Sequence, residues 1–247
     1  MTGPQPGPQT TTQARPRAVV CLSGGMDSTV CAALAARDYD AYALHISYGQ
    51  RTEARELTAA RAATAALNLC ELLELRTDFF RRIGGSALTD TSIAVPIADP
   101  HFHDPANRTG SPLPPQDVPV TYVPFRNAHF LSAAVSWAEV LGAHTVFIGA
   151  VEQDSSGYPD CRPAYYVAFN QLVAEGTRDG DISVATPLIH LRKSEIVRLG
   201  VELGAPLHVS WSCYSGQNEA CGVCESCVLR LHAFAEAGAV DPIPYAR

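Results

Sequence analysis

A chain of 247 residues, 47% of them hydrophobic, is long enough to bury one α/β core with a small appendage. Its net charge of −7 argues against broad nucleic-acid binding, which needs clustered Lys and Arg to displace counterions, and no stretch approaches the roughly 20 apolar residues of a membrane span. The first seventeen residues hold Pro, Gln, Thr, Gly and two Arg without an apolar h-region, so they read as a disordered tail and not as a signal peptide. The expected compartment is therefore the cytoplasm, with reduced thiols.

The first ordered element is the apolar run Ala18–Leu22, broken at once by Ser23-Gly24-Gly25-Met26-Asp27-Ser28-Thr29. This predicts a buried parallel strand, a tight turn and a helix through Val30–Ala36, capped by Asp27, Ser28 or Thr29. Glycines at a helix N-terminus let ligand approach the backbone, where free N–H groups and the helix dipole favour an anion. The chain lacks both a Gly-Lys dipeptide and G-x-G-x-x-G, which removes Walker A and the dinucleotide fingerprint. A turn built for packing alone would not need five small or polar residues in fixed order. The Ser-Gly-Gly-x-Asp-Ser pattern resembles the PP-loop of ATP pyrophosphatases, which split ATP between its α- and β-phosphates.

Tyr39–Ile46 predicts a second strand, ending in Ser47-Tyr48-Gly49-Gln50-Arg51. Thr52–Leu69 predicts a helix with Leu57, Ala60 and Leu67 as apolar positions, and Leu72–Leu75 a third strand. This alternation predicts an α/β fold with a doubly wound, mostly parallel sheet, whose ligands lie beyond the carboxyl ends of the strands. Regularity fails over 84–120, a Pro-rich insertion expected to be a functional loop or disordered. His101-Phe102-His103-Asp104 inside it reads as solvated and not as a metal site.

Leu131, Ala134, Val135, Ala138 and Leu141 keep helical spacing, and Thr145–Gly149 is a further strand. Arg126 and Asn127 fall at that helix start, where a guanidinium meets the unfavourable end of the dipole; it either faces an anion or lies on the surface. The twelve residues Glu152–Pro163 exceed an ordinary connection of about 2–6 residues and suit a planar, hydrogen-bonding ligand. Phe169, Leu172 and Val173 predict a covered helix. Thr186–Ile196 starts as a strand and turns into a helix facing inward at Ile196, Val197 and Leu199. Lys193 ahead of it is either a surface lysine or a point charge for pyrophosphate.

Cys213, Cys221, Cys224 and Cys227 offer two C-x2-C steps sharing a sulfur, plus a fourth thiol across a flexible loop. Four thiolates close a tetrahedral shell and make a structural zinc ion the first choice, with an iron–sulfur cluster as the alternative. The other four cysteines are scattered.

With Thr121–Asn127, Ser156–Arg162 and Trp211–Tyr214 standing between them, the PP-loop and the cysteines together resemble the 7-cyano-7-deazaguanine synthase family of the queuosine and archaeosine pathways. The likeness runs from about Ala18 to Asp241. Phe125 and Ser155 depart from it, where a smaller and an aromatic residue were expected.

The resemblance implies an ATP-dependent ligase that adenylates 7-carboxy-7-deazaguanine, lets ammonia form the amide, and adenylates the amide to give the nitrile. It implies Leu22, Ser23, Gly24, Gly25, Met26, Asp27, Ser28 and Thr29 at ATP, with Mg²⁺. Asp27, Lys193 and Arg126 would act in catalysis, and Tyr158, Asp160 and Arg162 on the substrate base. The expected organisation is a tail over 1–17, a nucleotide-binding domain over 18–190 and a helical zinc segment over 191–247. The expected assembly is a homodimer without nucleic-acid or membrane partners. Competing readings are a PP-loop enzyme acting on a tRNA base or a protein carboxylate, and a zinc-ribbon interaction module.

Overall fold

The computed structural model describes residues 14–98, 118–152 and 157–246. The segment expected as a tail therefore falls outside this range only over 1–13; so do His101 and His103, most of the Pro-rich insertion, and Ser155. Residues 15–17, expected in the tail, are held in the fold. Arg15 donates to the Ala36 carbonyl at 2.7 Å, Pro16 accepts from Asp40 N–H at 2.9 Å, and β1 (Arg17–Cys21) starts inside it.

α1 (Met26–Asp38) follows, then β2 (Asp40–Ser47), α2 (Glu53–Ala66), β3 (Glu71–Arg76) and the short α3 (Phe79–Ile83). After the insertion come α4 (Arg126–Leu141), β4 (Thr145–Ile148), α5 (Pro163–Gly176), β5 (Ser183–Ala185), α6 (Lys193–Glu202) and α7 (Glu225–Ala237). The strands form one sheet in the order β3-β2-β1-β4-β5, and every pair is parallel. The expected α/β class holds. β5 ends just before Thr186, where the strand was expected to begin, because Pro187 removes an amide from the ladder and the chain turns instead.

Parallel strands need both faces covered, and alternation supplies both. Val19, Cys21 and Leu44 pack with Leu131, Ala134, Ala138, Phe169 and Val173 of α4 and α5. Val20, Leu22 and Ala43 meet Ala32, Ala35, Ala60 and Ala63 of α1 and α2. The alanines let these helices lie close to the sheet; in α2 the buried face is Ala59, Ala60 and Ala63. Leu172, expected to be covered, is 63% exposed, since the buried stripe of α5 runs through Tyr166, Phe169 and Val173.

The C-terminal helices are no appendage. Ile196, Val197, Ala233 and Phe234 of α6 and α7 share a core with Met26, Val30 and Cys31 of α1. The chain crosses from β3 at one edge to β4 on the far side of β1, so the strand order reverses between β1 and β4. In such sheets the ligand crevice opens beyond the carboxyl ends at that reversal.

Candidate active site

A cavity of about 290 Å³ opens there, lined by Cys21 at the end of β1 and Leu22 after it, and by Ile148 at the end of β4 and Gly149 after it. The Ser23–Thr29 turn forms one wall. Its helix begins four residues earlier than expected, with Gly25 as N-cap and no side-chain cap. Ser28 and Thr29, expected as caps, instead donate backwards to the Gly25 carbonyl at 3.0 and 2.8 Å. Ser23 Oγ accepts from Gly25 N–H at 3.2 Å and lies 3.0 Å from Ser28 Oγ. The hydroxyls hold the turn from inside, which leaves the first-turn N–H groups to a ligand.

Two glycines have no substitute. Gly24 has φ +88°, and a Cβ there would lie 2.4 Å from the Glu56 carbonyl oxygen; a Cβ on Gly149 would lie 2.8 Å from the Asp27 backbone. The loop is thus seated directly on α2 and on the end of β4.

Asp27 and Lys193, distant by 166 residues, meet in this wall as an ion pair. Asp27 Oδ1 is buried with no partner among the described residues. On the far wall Arg126 opens α4, preceded by Phe125 at φ +57°. Its Nη1 donates to Tyr48 Oη at 2.9 Å, its guanidinium stands over the Tyr48 and Phe130 rings, and its Nε is buried without a partner. No carboxylate pairs with it among the described residues. Burial works against this cation, but the neighbouring Tyr48, Tyr158 and Asp160 raise its pKa. Burial also pushes Tyr48 up to about 12.

Tyr158 lines the same cavity and donates to Thr121 Oγ1 at 2.9 Å. The other two residues expected at the base stand elsewhere. Asp160, 4% exposed, accepts from Asn127 N–H at 3.1 Å through Oδ2 and from Asn127 Nδ2 at 3.0 Å through its carbonyl. It ties down the start of α4 and does not line the cavity; burial raises its carboxyl pKa. Arg162 is exposed at the N-cap of α5, also outside the lining.

The four clustered cysteines converge. Their sulfurs all lie within 4.8 Å of one another, and Cys221 and Cys227 are 3.9 Å apart. A tetrahedron with metal–sulfur bonds of about 2.3 Å has edges of about 3.8 Å, so the set fits a four-thiolate metal centre. Hydrogen bonds from Cys224 and Cys227 hold the Cys213 thiol far below its usual range. Backbone N–H groups of Gly216 and Cys221 reach the same sulfur at 3.0 and 3.3 Å.

A family model described as queuosine biosynthesis protein QueC matches residues 17–238. The chain belongs to the QueC family. A 7-cyano-7-deazaguanine synthase of Acidobacterium capsulatum is 69% identical over 235 residues, covering 95% of this chain and 99% of that one. Synthases of the same name from Koribacter versatilis and Chlorobium chlorochromatii are 62% and 52% identical; each covers 93% of this chain, and 93% and 96% of their own.

In this QueC chain the cavity also holds residues to which the sequence assigned no role, Trp211 having stood there only as part of a resembling segment. His45 on β2 is 1% exposed, with Nδ1 3.0 Å from the Leu22 carbonyl; burial lowers its pKa, so the ring is a neutral donor to the backbone below the loop. Trp211 N–H donates to the Gly24 carbonyl at 2.7 Å, and its ring packs with Cys213, Cys224 and Cys227. One residue thus joins the loop to the metal centre of the QueC chain. Behind it Arg230 forms a buried two-pronged pair with Asp241 at 2.8 and 3.0 Å and donates to Ser210 Oγ at 2.8 Å. A lone arginine and a lone aspartate 11 residues apart carry no periodic signal.

Proposed function

We propose that this chain is an ATP-dependent carbon–nitrogen ligase converting 7-carboxy-7-deazaguanine and ammonia to 7-cyano-7-deazaguanine in queuosine biosynthesis. The observation that carries the reading is the cavity at the sheet reversal. It sets an uncapped helix N-terminus opposite Arg126, a buried cation with one hydrogen bond and no paired carboxylate among the described residues.

A carboxylate is a poor electrophile until its oxygen becomes a leaving group. In the proposed sequence a carboxylate oxygen attacks the α-phosphorus of ATP and pyrophosphate leaves. Ammonia then adds to the acyl carbon, AMP departs with that oxygen, and an amide and a proton result. The amide oxygen attacks a second ATP, again expelling pyrophosphate. Loss of AMP and of the two amide protons gives the nitrile, so both carboxylate oxygens leave in AMP.

The protein's part is to hold and neutralise charge. The first-turn N–H groups of Met26, Asp27 and Ser28 would take the phosphates and Lys193 the departing pyrophosphate. That transfer frees Asp27, whose unpartnered Oδ1 suits a divalent cation such as Mg²⁺, which when bound adds charge neutralisation at the phosphates. Arg126 would hold the substrate carboxylate against Tyr158.

Zinc is the metal proposed for Cys213, Cys221, Cys224 and Cys227, because four thiolates with no open position suit a structural ion. Four reduced thiols support a cytoplasmic location. An exposed aromatic patch, Phe79 and Phe125 about His129, supports a homodimer. Incubation with ATP, Mg²⁺, ammonium and the carboxy-base tests the reading: AMP, pyrophosphate and a base with the nitrile's mass are expected. ADP, or an unchanged base, would overturn it.

A further inference from the structure

Glu56, on the first turn and a half of α2, lines the cavity and has no part in the chemistry above. Its Oε1 accepts from Thr52 Oγ1 at 2.6 Å and its Oε2 from Gln50 Nε2 at 3.0 Å. Both donors are neutral and no cation bonds it among the described residues. An ionised carboxylate has about four acceptor sites, of which these bonds use two.

Its aim is set from below. Gln50 Oε1 accepts from Tyr48 N–H at 2.9 Å, which fixes the amide so that its NH₂ end must face Glu56. Helix capping does not account for the arrangement. Thr52 is the N-cap of α2, yet its hydroxyl bonds the Glu56 side chain and no backbone N–H of the helix. Burial raises the Glu56 pKa, and Arg126 is among the groups that pull it back down, so the two charges feel each other within one cavity without forming a pair.

A carboxylate poised in this way, with acceptor capacity left over, matches a ligand edge carrying two adjacent N–H donors. A 7-deazaguanine ring has that edge at N1–H and the 2-amino group, on the opposite side from its 7-carboxylate. We propose that Glu56 is the specificity-determining residue for the base, accepting from N1–H and the 2-amino group while Arg126 holds the carboxylate at the other end. The inference rests on the proposed substrate and goes beyond it in naming how the ring is read.

The test is acid-dependent ATP–pyrophosphate exchange, run with 7-carboxy-7-deazaguanine and with its analogue lacking the 2-amino group. A hydrogen bond to a charged group is expected to give the wild type a roughly 10- to 150-fold preference for the amino compound, carried by KM. Glu56→Gln should raise the KM for the amino compound by a similar factor and bring the two acids close to parity, leaving the KM for ATP unmoved. Glu56→Asp, with its carboxylate drawn back by one methylene, should raise the acid KM and keep a preference.

Absence of any preference in the wild type overturns the proposal. So does a Glu56→Gln enzyme that keeps the preference or changes its KM for ATP instead. If the glutamine variant does not fold, an unchanged acid KM in Glu56→Asp overturns it alone. Exchange with neither acid in the wild type would mean that the substrate reading itself is wrong, and the assignment of Glu56 falls with it.

Discussion

Replacing Arg126 by Met separates a binding residue from a structural one, because the two roles predict opposite signs for stability. The guanidinium is enclosed between the Tyr48 and Phe130 rings, has one hydrogen bond and leaves Nε unsatisfied. Burying a cation this way costs free energy unless an anion contacts it, and among the described residues Asp160 and Glu56 act on it only through space, with no carboxylate paired to it. Methionine is close in length and packs well on aromatic faces. The unliganded Arg126→Met protein should therefore melt no lower than the wild type.

Activity should collapse. Two charge-assisted bonds to a carboxylate, at about 1.5–3 kcal/mol each, are worth about 3–6 kcal/mol together. At 1.36 kcal/mol per tenfold, kcat/KM for the acid should fall by about 10²- to 10⁴-fold. The pair of measurements is a melting curve without ligand and acid-dependent ATP–pyrophosphate exchange. A variant that melts several degrees lower, or that exchanges at the wild-type rate, would refute the reasoning.

Three further outcomes follow from the same geometry. Chelation of the Cys213–Cys227 metal should release Trp211 from the Gly24 carbonyl; losing that bond, worth about 1 kcal/mol, should weaken ATP binding about fivefold by calorimetry, and unchanged affinity in stripped protein would rule the link out. Asp241→Asn leaves the Arg230 cation buried without its counter-charge, at a cost of about 3–5 kcal/mol in denaturant unfolding, while breaking an exposed pair such as Arg37–Asp38 should leave the unfolding midpoint nearly unchanged. His45 is depressed from 6.5 by burial, so its neutral form contributes stability in full above pH 6.5 that is lost as pH falls towards the lower folded-state value. Denaturant curves at pH 8 and pH 5.5 should show a drop in the wild type that His45→Gln lacks, and equal drops would exclude the assignment.

Much of the layout was legible locally. Strand, turn and helix around Ser23–Thr29 follow from a β-branched run, a glycine pair and an alanine-rich stretch, each a nearest-neighbour signal. The convergence of the four cysteines is readable for the same reason, since three lie within a C-x2-C-x2-C run. The cap of α1 was not. Asp27, Ser28 and Thr29 are all good capping residues, and only their packing shows the hydroxyls turned back onto the Gly25 carbonyl.

What joins the site lies beyond any local pattern. Asp160 and Arg162 sit two residues apart in one promising loop, yet one is folded inward onto Asn127 and the other faces solvent. The Asp27–Lys193 pair and the Trp211–Gly24 bond each span well over a hundred residues. The sequence by itself determined the element types, the anion-binding turn and the thiolate set, because backbone sterics, periodicity and ligand chemistry act over a few residues. Only the tertiary structure decided which charges meet, since that depends on where a parallel sheet reverses its order and on what burial leaves unpaired.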